Sequence, residues 1–183
     1  MGLFLIFHLD EPRLWVPVAN GQLFLYALTF LSTFCFPVFC AFVLLKLKLI
    51  DSLEMRTKEE RRFPYLASAI FYFSESYFLM RLDLPVVVQA IMMGATLLIV
   101  ILMLINIFRK ISAHMAGIGG LCGIILAVSY RLQISIPLTL ISVFLVAGLV
   151  AYSRLRLNAH DPAEVYSGFF LGLLVQLIFL LTL

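Results

Sequence analysis

The sequence predicts an all-α, polytopic membrane protein, and two observations carry that prediction. The chain is 63% hydrophobic and only 13% charged over 183 residues, whereas a soluble domain is nearer half apolar and one quarter charged. The apolar residues are also gathered into blocks. Residues 21–45, 84–108, 132–152 and 165–183 contain no Asp, Glu, Lys or Arg, and each is close to or above the roughly 20 residues that cross a bilayer core.

Residues 21–45 form the first expected span. Residues 63–80 form a second, interrupted by Glu75, and residues 84–108 a third. Residues 115–130 are short for a fourth, but reach spanning length once Ala113 and His114 are included. Residues 132–152 supply the fifth, and 165–183 the sixth, with Pro162 suited to its first position and Asp161 to its N-cap. About six transmembrane helices are therefore expected in a single integral membrane domain over residues 1–183, with no separate soluble domain. Residues 1–20 have too short an apolar run to span and lack the basic n-region of a cleavable signal. Trp15, between Pro12 and Pro17, suits an interfacial segment, where an amphipathic ring sits at headgroup level. Cys35, Cys40 and Cys122 all fall inside expected spans without a C-x-x-C pair, and read as small buried apolar residues.

Six spans would alternate the loops between two sides. One side receives Lys46, Lys48, Arg56, Lys58, Arg61, Arg62, Arg109, Lys110, Arg154 and Arg156, the other only Arg13, Arg81 and Arg131. Lys and Arg accumulate on cytoplasmic loops, so topology alone is one explanation. The other is that separate loops converge on an anion site. His114 and His160, two of the three histidines, fall in the same cationic loops. Histidine changes charge near neutral pH and can act as acid, base or nucleophile. Arginine forks match phosphate oxygens and neutralise charge that spreads over them. Histidines and guanidinium groups at a membrane interface thus suit phosphate chemistry.

The stretch HDPAE, from His160 to Glu164, carries two readings. Four residues separate histidine and glutamate, so the carboxylate can reach back to one ring nitrogen and aim the other at substrate. Asp161 and Glu164 also form a D-x-x-E capping box, in which Glu164 merely satisfies a backbone N–H. Gly119 with Gly123, and Gly168 with Gly172, make two G-x-x-x-G pairs that allow close helix approach in lipid and would draw the two histidine-bearing helix ends together. Glu75 is an intramembrane acid and a functional candidate by default; pairing with Arg81 or reaching the interface are the plain alternatives.

ISAH (residues 111–114) followed by SRLRLNAHDPAE (residues 153–164) resembles the second and third signature motifs of the type 2 phosphatidic acid phosphatases. These are membrane lipid phosphatases related in fold to the vanadium haloperoxidases. The family's third motif is Ser-Arg, five residues, His, three residues, Asp; here Ser153, Arg154, His160 and Glu164 keep the spacing, with Glu for Asp. The second is Pro-Ser-Gly-His, matched by Ser112 and His114 but not by Ile111 or Ala113. The first is Lys, six residues, Arg-Pro. Arg56 and Pro64 keep that spacing, but Phe63 stands where the arginine belongs. Arg62, one position earlier, could supply the guanidinium, with Lys58 four residues before it on the same helical face. A solvated charge cluster with Glu54, Glu59 and Glu60 is the competing explanation. The resemblance covers residues 56–172.

The resemblance implies a haloperoxidase-like helical core and a metal-independent lipid phosphatase without a cofactor. His160 would attack phosphorus to form a phosphohistidine, and Glu164 would orient it. His114 would protonate the leaving oxygen and later activate water. Arg154, Ser112 and Arg62, with Arg56 or Lys58, would hold phosphate oxygens. The implied partners are the lipid bilayer and a lipid phosphate or diphosphate of the prenyl diphosphate, phosphatidylglycerophosphate or phosphatidate-like kind, in a bacterial inner membrane; no nucleic-acid partner is expected. The rival expectation is a non-catalytic lipid-phosphate-binding membrane protein with a degenerate first motif.

Overall fold

A computed structural model describes residues 21–53, 55 and 57–182. The expected interfacial segment 1–20, and Arg56, lie outside the described residues. Among the described residues there are six helices and no strand. They are α1 (Gly21–Lys46), α2 (Arg62–Leu79), α3 (Val86–Phe108), α4 (Ala113–Leu132), α5 (Pro137–Arg156) and α6 (Pro162–Thr182). The described chain falls into two compact units, residues 21–109 and residues 110–182.

The first unit holds α1 to α3. Midway, α1 widens into a π turn at Leu31–Cys35, where the Phe36 N–H bonds the Leu31 carbonyl. The cause is two residues on: Pro37 has no N–H, and its ring crowds the carbonyl four residues back, so the helix accommodates it by a wider turn. Lys48, in the left-handed region at φ 56°, closes the helix. Its N–H bonds Leu45 O and the Leu49 N–H bonds Leu44 O, the paired pattern of a Schellman end. The following loop is laced to α3: Lys58 Nζ donates to Ile107 O at 3.3 Å, and Asn106 Nδ2 donates to Lys58 O at 2.7 Å. On α2, Ser76 shares a 2.8 Å hydrogen bond with Thr96 of α3.

The second unit is built around α4, which is buried on almost every side, while α5 buries only Val143 and Ala147. Contacts between α4 and α6 advance in the same direction along both helices. Ser112 N–H bonds Glu164 O at the start, and Arg131 Nη1 donates to Leu180 O at the end, at 2.7 Å. The two helices are therefore parallel, with both N-termini at one end of the unit. The reason for their intimacy is glycine. A Cβ at Gly119 would strike Phe169 O, one at Gly123 would strike Leu173 O, and one at Gly172 would strike Ala116 O. Both G-x-x-x-G pairs face the partner helix and let the backbones touch.

Five helices, α1, α3, α4, α5 and α6, are long and apolar enough to cross a membrane, as in a multi-pass membrane protein. The expectation of about six is corrected at α2. It is a helix of 18 residues, but Glu75, three serines and three tyrosines within it dilute its apolarity. The outward faces are those a bilayer would cover: on α5, Leu138, Ile141, Leu145, Leu149 and Tyr152 are all exposed, far more contiguous apolar surface than a soluble monomer presents.

Candidate functional site

The start of α6 sets the site. Pro162 is its first residue, where a missing N–H costs nothing. Asp161 Oδ1 accepts the Glu164 N–H at 2.7 Å, so Asp161 does the capping. The Glu164 carboxylate is turned the other way: its Oε2 lies 2.6 Å from His160 Nδ1. The D-x-x-E stretch thus divides its labour, one acid for the helix end and one for the ring. The carboxylate on Nδ1 fixes the orientation of the ring. The His160 side chain is 4% exposed and that of Glu164 19%, so the pair is shielded from bulk water, where its attraction is strongest.

The residues before His160 are pinned from two sides. Ala159 N–H bonds Arg154 O, closing α5 through Asn158 at φ 49°. Lys110 Nζ donates to Ala159 O at 2.8 Å, tying this turn to the segment that leads into α4. Ser112 N–H bonds Glu164 O at 3.2 Å, and a Cβ at Gly168 would lie 2.6 Å from Ser112 O. The N-termini of α4 and α6 are consequently neighbours. Each carries the partial positive charge of its helix dipole, and two such ends side by side favour an anion.

Arg154, in the last turn of α5, has its Nε buried without a hydrogen-bond partner among the described residues. A buried donor left unmade is costly, and a guanidinium N–H is best satisfied by an oxyanion. His114 is the second residue of α4 and exposed, at the same end of the helix pair as His160. Ser112 is placed differently from expectation. It is fully buried, and its Oγ accepts the Met115 N–H at 3.4 Å, which makes it the cap of α4.

The first-motif cations belong to the other unit. Arg62 opens α2 and is exposed, and Lys58 is occupied by the Ile107 carbonyl. Two residues not singled out from sequence prove structural. Lys110 pins the His160 turn, and the buried Arg61 donates from Nε to Met55 O at 2.8 Å. Neither contact has a signal in spacing, because both partners are backbone carbonyls in loops. Among the described residues, no group of three or more His, Cys, Asp or Glu is placed to hold a metal ion. No known protein family, curated protein or solved structure matches this chain.

Proposed function

We propose that this protein is a metal-independent phosphatase of membrane lipid phosphates or diphosphates that works through a phosphohistidine, on a helical core of the type 2 phosphatidic acid phosphatase kind. The observation that carries the reading is the His160–Glu164 pair at 2.6 Å, set where two helix N-termini meet, on the turn that follows the helix end carrying the unpartnered Arg154 Nε. In the first step His160 Nε2 attacks phosphorus, the bond from phosphorus to the lipid oxygen breaks, and His114 gives that oxygen its proton. In the second step His114 takes a proton from water, the water oxygen attacks phosphorus, and the P–N bond breaks to release phosphate. Glu164 stabilises the positive charge on His160 throughout. Arg154 and the helix N-termini stabilise the equatorial oxygens in the transition state.

Exposed apolar faces on α5 support a substrate that arrives from within the bilayer. Prenyl diphosphates, phosphatidylglycerophosphate and phosphatidate share the chemistry required, in a bacterial inner membrane. The test is phosphate release by purified protein in detergent, on a panel of these lipids with EDTA present, beside His160→Ala. Release that persists in EDTA and vanishes in the variant is expected. One observation favours a second reading: a histidine only 4% exposed also fits a protein that holds lipid phosphate without turning it over. Lipid-phosphate binding with no release from any lipid, in wild type and variant alike, would overturn the enzyme and establish the binder.

A further inference from the structure

The first unit contains a buried acid that the proposed chemistry does not use. Glu75 on α2 is 3% exposed. Its Oε1 accepts a hydrogen bond from Thr29 Oγ1 of α1 at 2.7 Å, and its Oε2 is buried with no hydrogen-bond partner among the described residues. The acid is deep as well as buried. Its neighbour Ser76 bonds Thr96, the eleventh of the 23 residues of α3, and Thr29 is the ninth of the 26 residues of α1. The carboxylate is therefore level with the interior of two helices long enough to span.

The plain explanations of an intramembrane acid do not hold here. Arg81, the nearest cation along the chain, gives Nη2 to Tyr77 Oη at 2.6 Å and lies over the Tyr77 ring at 4.9 Å, and the carboxylate does not reach the surface. Among the described residues, the groups facing Glu75 from the neighbouring helices carry no positive charge. α1 offers Thr29, Ser32 and Thr33, with Tyr26 and Cys35 further along the same helix, and its one charged residue, Lys46, is at its far end; α3 contains no charged residue. On α2, Tyr72 shares a hydrogen bond with Thr33 and lies in the field of the carboxylate. An ionised carboxylate at such a depth with one hydroxyl donor is strongly disfavoured. One positive charge cancels that penalty.

We infer that Glu75 is the seat of a monocation site inside the first unit, taking up a single positive charge as a proton or as a sodium ion. The donor set is right for a small hard cation: one carboxylate, the hydroxyls of Thr29, Thr33 and Tyr72, and the Thr29 carbonyl, to which Thr33 Oγ1 already donates at 2.6 Å. A single carboxylate matches one charge and not two, and oxygen donors of this kind suit hard ions. The π turn at Leu31–Cys35 begins two residues after Thr29, and such turns re-aim backbone at functional positions.

The test is the melting temperature of the full chain in detergent, from about pH 5 to about pH 9, in choline chloride and in sodium chloride of equal ionic strength. A site filled only in the folded state makes stability fall as pH rises. In choline the wild type is expected to lose at least about 3 °C over this range, and Glu75→Gln to lose none of it. A free phenol already ionises above this window, and burial pushes the Tyr72 phenol higher still. Recovery of the loss by sodium at high pH identifies a sodium site; no recovery identifies a proton site. Equal pH and sodium responses in wild type and Glu75→Gln would overturn the inference, as would a wild type that responds to neither. Should Glu75→Gln not fold, Thr29→Ala replaces it. Losing the donor to Oε1 is expected to move the pH fall upward, because the carboxylate loses its stabilising bond, and an unmoved fall would count against the site.

Discussion

At the scale of single residues, the division between Asp161 and Glu164 has measurable consequences. Glu164→Gln keeps the shape of the side chain but removes the charge that, in the proposed mechanism, stabilises His160 as it becomes positive. A drop of at least about 100-fold in kcat is expected, with the melting temperature little changed; steady-state kinetics on the preferred lipid checks it, and a variant as fast as wild type would leave Glu164 no part in the chemistry. Ser112→Ala should do the opposite. It removes the α4 cap, costing about 1 kcal/mol of stability, and leaves kcat within a few-fold, because the buried hydroxyl serves Met115 N–H. A carboxylate outside the membrane helices gives a pH signature. Backbone N–H groups of Asp51 and Thr57 bond Glu60 and hold its carboxyl below the usual range. Its contribution is thus present above the unfolded carboxylate value and is lost as pH falls through the lower folded one. Wild type should melt above Glu60→Gln at neutral pH, and the gap should close in acid. The His160–Glu164 spacing was legible in the sequence, since four residues fix a shared helical face. Which acid would cap and which would hold the ring was not, because that depends on a side-chain rotamer.

At the scale of elements, the parallel α4–α6 pair brings the histidine-bearing ends together, and its contact is written in glycine. Gly172→Ala would press a methyl group against Ala116 O and to 2.7 Å from Gly120 N. Both obstacles are backbone, so the helices must part. A loss of about 1–3 kcal/mol is expected, with kcat falling alongside because the ends that carry His114 and His160 move apart. Gly117 supplies the control, since a Cβ there meets nothing within 4 Å. Gly117→Ala should raise stability by up to about 1 kcal/mol, as alanine does in a helix interior, and leave activity unchanged. Thermal melts of the two variants separate a packing role from a general intolerance of substitution. Charge-free blocks made α1, α3, α5 and α6 legible, and the small-residue spacing made the α4–α6 contact legible. The π turn was hidden, because Pro37 marks a disturbance without saying whether the helix kinks, breaks or widens. The partner of Glu75 was hidden too: Thr29 lies 46 residues away, and no local pattern joins them.

At the scale of the whole molecule, apolar length governs where the chain resides, and the second unit turns this into a test of sidedness. The helices α4, α5 and α6 are each long and apolar enough to cross, and the parallel register of α4 with α6 requires α5 to run back between them. The turn around Leu157 and the segment leading into α4 therefore share one end, and the link around Ser135 occupies the other. Cation counting is a weak guide to which end faces the cytoplasm, since Lys110 and Arg131 are each committed to a backbone carbonyl and Arg154 Nε is buried. These charges are explained by structure before topology needs them. Accessibility is the better measure. The native cysteines lie within α1 and α4, away from the helix ends, so single cysteines can be added at exposed Leu157 and Ser135. A membrane-impermeant maleimide on sealed vesicles should label one of these from outside and the other only after permeabilisation. Whichever is labelled first gives the side of the His160 turn and so the compartment that would receive released phosphate. Labelling of both from the same side would mean that α5 does not cross, and the single end shared by His114, His160 and Arg154 would lose its basis.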